Sequence, residues 1–279
     1  MTEKRDPRAH WLDEDPFDKM DNNSKTHTRA RDDGNWRKPH IRVVNANTSG
    51  QPFFRVFGTR QSQPIPIHTG SLWHFSKTEI DHLTQATFAF TIALAFMSTG
   101  GIFGALNSPS AFIEGGIVYF IALAPAFILH EIAHKIVARS YGCWAEFRVS
   151  PSGLRFGVIL AAAIGIVFMA PGAVMVAGRT TLSQFGKVAL AGPISNVILW
   201  LLGFVAILLG ISSNPIGLKL IWPWMWGNAI LATFNMLPFG ELDGKKIKKW
   251  SEIIFYVWFV ICISLVIFTF GELRTIIGI

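Results

Sequence analysis

Residues 128–136 read ILHEIAHKI, which places His130, Glu131 and His134 within five residues, inside an apolar run that begins near Ile117. On a helix, His-Glu-x-x-His sets the two imidazoles at i and i+4, one above the other on a single face. Two ring nitrogens so placed can hold one Zn²⁺ at about 2.0–2.1 Å each. Glu131, between them, cannot easily join as a ligand but can reach the water that such a site activates, as a general base. Chance is the competing explanation, and the chain's own His and Glu frequencies give it odds of about 1%. Burial in an apolar run weakens it further. An ionisable residue at mid-span costs about 2.5–3.5 kcal/mol, so such groups are functional by default.

A catalytic zinc usually takes three protein ligands and water. Of the eight histidines, only His130 and His134 lie beyond His82, so a carboxylate is the favoured third ligand. Between Asp81 and Glu252 the acids are Glu114, Glu131, Glu146, Glu241 and Asp243. Glu114 lies 16 residues before His130, roughly 24 Å away along one helix. Glu146 would need a sharp return of the chain after the helix. Glu241 and Asp243 sit in NMLPFGELDG, where Pro238 and Gly240 break an apolar run, and broken backbone at membrane depth needs a cavity beside it. Elimination leaves Asp243 or Glu241.

Composition sets the frame for this chemistry. The chain has 279 residues, 51% hydrophobic and 15% charged, with a mean hydropathy of +0.38. Soluble globular proteins carry about 25% charged residues, so the class is an integral membrane protein whose first partner is the lipid bilayer. The net charge of +7 then speaks to orientation against anionic lipid and not to nucleic acid. Two cysteines, Cys143 and Cys262, make neither a disulfide framework nor a thiolate metal site. The N-terminal stretch has no apolar segment of the kind that marks a cleaved secretory signal.

Along the chain, residues 1–39 hold nine Lys/Arg and nine Asp/Glu and read as a disordered polyampholyte tail. Residues 40–75 contain short β-like pieces broken by Gly and Pro, fitting a small segment at the membrane surface. From Ser76 to Ile279 the chain reads as a membrane-embedded domain. It opens on SKTE, with Ser76 as N-cap and Glu79 reaching back in a capping box. Its apolar runs are 84–105, 114–138, 157–177, 188–211, 218–240 and 252–270. The tryptophans, including WPWMW at Trp222–Trp226, fit an interfacial aromatic belt.

Three stretches together resemble the site-2 proteases, the M50 family of intramembrane zinc metalloproteases: HEIAH, then AGPISN at Ala191–Asn196, then NMLPFGELDG at Asn235–Gly244. The last fits the family pattern Asn-x-x-Pro-x-x-x-x-Asp-Gly at Asn235, Pro238, Asp243 and Gly244. The resemblance covers about residues 76–250 and leaves residues 1–75 out. It implies a single Zn²⁺ per chain on His130, His134 and Asp243, with Glu241 on a variable position. It also implies Glu131 as catalytic base, and Asn196 and Asn235 as polar residues of the active site that donate to an oxyanion or hold substrate backbone. The substrates it implies are transmembrane segments of other proteins, which unwind before cutting. Many members continue Asp-Gly-Gly-Arg, whereas this chain has Asp-Gly-Lys-Lys.

Shared ligation constrains the topology. His134 and Asp243 must reach one depth from one face, so the chain between them crosses an even number of times, yet it offers three apolar runs. The Gly-rich run 157–177, broken at Pro171–Gly172, is the one expected to be a re-entrant segment or an embedded β-hairpin. The expected fold is therefore α-helical and polytopic, with five to six membrane helices around the zinc site. With five spans, 23 Lys/Arg lie on the cytosolic side and only Lys219 and Arg274 opposite, as the positive-inside rule requires. That orientation puts the N-terminus in the cytosol, and the site near the cytosolic face of what is expected to be the cell membrane. The alternative is a non-enzymatic scaffold or transporter retaining a structural zinc, which would need four closed ligands. Oligomeric state is left open.

Overall fold

A computed structural model describes residues 71–169 and 171–278. The readings for the tail and for most of the surface segment fall on residues 1–70, outside the described residues. The first helix, α1 (Lys77–Thr99), starts where Ser76 accepts a hydrogen bond from the Glu79 N–H at 3.1 Å. Only half of the expected capping box forms, because the Glu79 side chain points elsewhere. A short helix, α2 (Ile102–Asn107), leads into α3 (Pro109–Ser140), which carries the His-Glu-x-x-His motif in its second half. Strand β1 (Trp144–Val149), helix α4 (Pro151–Ile164) and strand β2 (Gly172–Ala177) follow. The long α5 (Leu182–Leu208) and α6 (Pro215–Asn235) come next, joined by a short connection. Then α7 (Asp243–Trp250) and α8 (Glu252–Phe268) run through a π-helical turn at Thr269–Leu273 into α9 (Arg274–Ile277).

Residues 157–177 do not cross as one helix. Ser150 caps α4 by accepting from the Gly153 N–H at 3.2 Å, and Gly165, in the left-handed region at φ 70°, ends it. The last six residues of the segment then form β2, which pairs antiparallel with β1, from Trp144↔Ala177 to Val149↔Gly172. The hairpin-like sheet is therefore made between this segment and the strand before α4, with α4 as its connection.

Among the described residues, four helical stretches are long and apolar enough to cross a membrane: α1, α3, α5 and Glu252–Ile277. The sequence count of five to six includes α6, which has the length, at 21 residues, but whose tryptophans, prolines and Asn228 make it less apolar. Large apolar side chains point outward along the four, among them Phe88, Ile117, Leu202, Leu208 and Val260. Apolar surface on this scale is not sustained in water. The protein is a helical polytopic membrane protein.

Inside, α3 packs against α1, α5 and α6, and α5 against α7. One cluster joins Leu83, Phe90, Leu123, Phe127 and Phe147 across α1, α3 and β1. A second joins Leu190, Val197, Met236, Ile247 and Phe255 across α5 to α8. The WPWMW tryptophans lie between helices as much as on a rim: the Trp224 indole donates to the Leu199 carbonyl at 2.8 Å, because a half-buried indole N–H needs an acceptor.

One polar tie crosses the first cluster. Lys135, one residue past His134, is 1% exposed and donates to Glu79, also 1% exposed. The other Glu79 oxygen accepts the Phe147 N–H of β1 at 3.1 Å. Breaking a buried pair strands the partner's charge and costs about 3–5 kcal/mol, whereas replacing both with apolar groups is far milder. Glu79→Ala should therefore destabilise the protein by about 3–5 kcal/mol in reversible denaturation in detergent, and Glu79→Leu/Lys135→Met should recover most of the loss. Glu114→Ala, which breaks the exposed pair with Lys219, should leave the transition in place.

Candidate metal centre

The second half of α3 delivers three buried side chains, His130, Glu131 and His134. The fourth arrives 109 residues after His134, at the first position of α7. There Asp243 benefits from the positive end of the helix dipole. The turn before it folds tightly back, so that a Cβ on Gly244 would collide with the Met236 carbonyl. That close approach explains why glycine follows the aspartate.

The structure brings His130, His134 and Asp243 together. Their ligand atoms lie within 4.8 Å of one another. The two Nε2 atoms are 3.1 Å apart, and Asp243 Oδ2 stands 3.4 Å from His130 Nε2 and 3.0 Å from His134 Nε2. Tetrahedral zinc with ligands at 2.0–2.1 Å separates them by about 3.3–3.4 Å, so donor types and spacing both fit. Among the described residues no fourth His, Cys, Asp or Glu joins the group. Three ligands with a free position is the catalytic pattern.

The remaining acids lie elsewhere. Glu146 accepts from Ser76 Oγ at 2.9 Å and from Arg148 at 2.8 Å, and Glu241 is exposed in the turn before α7. Burial opposes charge on Asp243, but His134 and His130 beside it, together with Lys246, hold its carboxyl well below the usual carboxylate range. Its two oxygens divide the work: Oδ2 faces the histidines, and Oδ1 accepts from Lys246 Nζ at 3.1 Å. Lys246 is the second lysine of Asp-Gly-Lys-Lys.

The outer nitrogens of the rings are also engaged. His134 Nδ1 donates to the Val188 carbonyl at 2.7 Å, one residue from the Ala189 carbonyl, whose helical donor Pro193 removes. His130 Nδ1 meets Asn196 Oδ1 at 2.6 Å, and Asn196 in turn donates to the Ala126 carbonyl and to Asn228 Oδ1. Asn196 thus stands behind a ligand, with the acceptors for its own N–H groups already filled. Asn235 is not brought to the cluster by any hydrogen bond; its amide donates to the Leu231 carbonyl of its own helix.

Glu131 turns toward β2, where it lines a small cavity together with Val174. It shares that space with Phe147, Lys135 and Glu79. On the α5 side the rings are covered by bare backbone: a Cβ on Gly192 would collide with His134 Nε2 and stand 2.5 Å from His130 Nε2.

Sequence reasoning passed over Gly192, Asn228 and Lys246. Asn228 did leave a signal, as a lone amide inside an apolar run, and Lys246 sits one helical turn after Asp243. Gly192 left none beyond its place in AGPISN.

Fold and cluster together define a class, the polytopic membrane proteins with a buried His-His-Asp group able to hold a metal ion. Comparison with known proteins narrows it. A Methanocaldococcus jannaschii protein named "Putative zinc metalloprotease MJ0611" is 38% identical over 200 residues, or 70% of this chain and 95% of that protein. A Bacillus subtilis protein named "Putative zinc metalloprotease YwhC" is 30% identical over 150 residues, or 46% of this chain and 65% of that protein. The chain belongs to this zinc metalloprotease family. No protein-family profile and no solved structure matches it.

The bare backbone at Gly192 is open to test. Gly192→Ala should weaken zinc binding by at least the roughly 10–100-fold typical of outer-contact losses, read as zinc content after dialysis against a chelator. Gly116→Ala, whose Cβ would meet only Ala95 at 3.5 Å, should keep the wild-type content.

Proposed function

We propose that this protein is a site-2-protease-like (M50) zinc endopeptidase that hydrolyses peptide bonds within or beside transmembrane segments of other membrane proteins. The observation that carries this is the convergence of His130, His134 and Asp243 in the interior of a bundle of apolar helices. One zinc ion on these three residues would supply Lewis-acid activation of water and of the scissile carbonyl. Glu131 takes a proton from the attacking water on its carboxylate and later gives it to the leaving amine nitrogen. Asn196 holds the His130 ring in place. Asn235 remains a candidate for substrate backbone once its helix-internal bond is released. A structural zinc in a scaffold or transporter is disfavoured by the lack of a fourth ligand among the described residues and by a carboxylate at Glu131.

The sheet supports a route for presenting substrate. Phe147 and Val174 are register partners, and the Phe147 N–H points away from β2 toward Glu79. In an antiparallel pair the N–H of the partner then points outward too, so the outer N–H groups of β2 belong to Gly172, Val174 and Val176. The outer edge of β1 is occupied by Glu79 and His82. The outer edge of β2 has no strand partner among the described residues, and Val174 on it lines the same small cavity as Glu131. An unwound substrate segment adding to this edge by β-augmentation would lie alongside the catalytic base. By charge distribution, the site opens toward the cytosol from the cell membrane, with the N-terminus on the same side.

Cleavage of a transmembrane substrate in liposomes, with zinc measured in parallel, tests the chemistry. Glu131→Gln should retain zinc and lose about 10²–10⁴-fold in kcat, whereas His130→Ala and Asp243→Ala should lose both. Zinc-free wild type in folded form would overturn the reading. The edge has its own test. Val176→Pro removes an outward N–H without touching the β1–β2 ladder and should raise KM about two- to tenfold, the worth of one hydrogen bond, with kcat little changed.

A further inference from the structure

We propose that Asn228, on α6, is a positioning residue that fixes which nitrogen of His130 is free to bind metal; this rests on the metalloprotease reading above. An imidazole ligates through a ring nitrogen only while the proton sits on the other one. For His134 the choice is made directly, because Nδ1 faces the Val188 backbone carbonyl, which can only accept. His130 has no such carbonyl. Its Nδ1 faces Asn196 at 2.6 Å, and an amide presents either an acceptor oxygen or a donor nitrogen according to how it is turned.

The orientation of Asn196 is set by its other neighbours. Its Nδ2 lies 3.2 Å from the Ala126 carbonyl and 2.9 Å from Asn228 Oδ1. The Asn228 amide is itself oriented, because its Nδ2 lies 2.9 Å from the Trp224 carbonyl, which again can only accept. Directionality therefore runs one way. The Trp224 carbonyl turns the Nδ2 of Asn228 toward itself, which leaves Asn228 Oδ1 to receive Asn196. Asn196 Oδ1 is then left to receive the His130 Nδ1 proton, and Nε2 keeps its lone pair toward the ligand cluster. With Asn196 turned over, its oxygen would oppose two acceptors and its nitrogen would meet Nδ1, driving the proton to Nε2 and blocking ligation. Asn196 and Asn228 are both wholly buried at 0% exposure, so bulk solvent does not reach either side chain.

The test uses the full-length, zinc-loaded protein in detergent with ¹⁵N-labelled histidine. Zinc affinity by chelator competition and solvent exchange of the two Nδ1 protons are measured for wild type, Asn228→Ala and Asn228→Asp. Asn228→Ala leaves one Asn196 donor unpaired and should weaken zinc binding about 10–100-fold. It should also speed exchange of the His130 Nδ1 proton about tenfold or more, while the His134 proton, held by Val188, keeps its wild-type rate. A carboxyl buried at this position is neutral, so Asn228→Asp still accepts from Asn196 and donates to Trp224, and should restore both readouts to near wild type. Equal acceleration at both histidines, no change at either, or an aspartate variant as weak as the alanine one would overturn the assignment. If Asn228→Ala does not fold, the aspartate variant and the wild-type exchange rates still decide, since a His130 Nδ1 proton unprotected in wild type also overturns it. Neither readout requires cleavage. A wild type that binds zinc and cuts nothing would count against the proposed function and leave this assignment standing.

Discussion

Inside a layer of apolar helices, every polar group must be satisfied by another part of the same protein, and each hydrogen bond has a direction. The metal centre depends on this constraint. Two imidazoles can offer lone pairs to one cation only if both are protonated on the far side, and the far side of each ring is packed against protein acceptors. Backbone carbonyls are partners that can only accept. The centre is accordingly anchored on three of them: Val188 behind His134, Ala126 behind Asn196 and Trp224 behind Asn228. Helices α3, α5 and α6 are thereby tied together by the same bonds that set the ligand nitrogens. This is why two asparagines are worth burying where lipid-facing positions would reject them.

The same ligands dictate the path of the chain. Asp243 must return to the depth of His134, and α5 with α6, packed together and joined by a short connection, leads the chain away and back. The excursion through β1, α4 and β2 can therefore remain on one side. It is held there by Glu79, which takes one bond from Lys135 of α3 and another from Phe147 of β1. Helix α1 thus blocks one edge of the sheet and leaves the other toward Glu131.

Much of this was legible in the sequence, for physical reasons that differ between residues. His130, Glu131 and His134 were readable because charge is so costly in an apolar run that three such residues at ligand spacing demand a reason. Asp243 was narrowed to one of two acids by elimination, and singled out from Glu241 only by resemblance to a family pattern. A residue count cannot see that the turn exposes one acid and buries the next but one. The broken character of 157–177 was visible in its glycines and in Pro171. The partner strand was not, because Trp144–Val149 is short and follows a helix directly. Its pairing is a tertiary event, set by Glu79 more than by local propensity. Glu79 carries the local signature of a cap, Ser-x-x-Glu, while its partner Lys135 lies 56 residues away.

Gly192 shows why the remainder was hidden. Its contribution is the absence of a side chain, and this matters only because two imidazole nitrogens from another helix come to rest against it. Backbone this close to the rings shuts the α5 side of the cluster, while Glu131 turns toward β2, whose outer edge has no strand partner among the described residues. The face left open is the one that carries Glu131 and the outward Val174 N–H. A side chain on Gly192 would close the centre just as surely as loss of a ligand, yet nothing in the glycine itself distinguishes it from the other 24 in the chain. Motifs reveal the groups that react. The groups that must stay out of the way become legible only once the helices are packed.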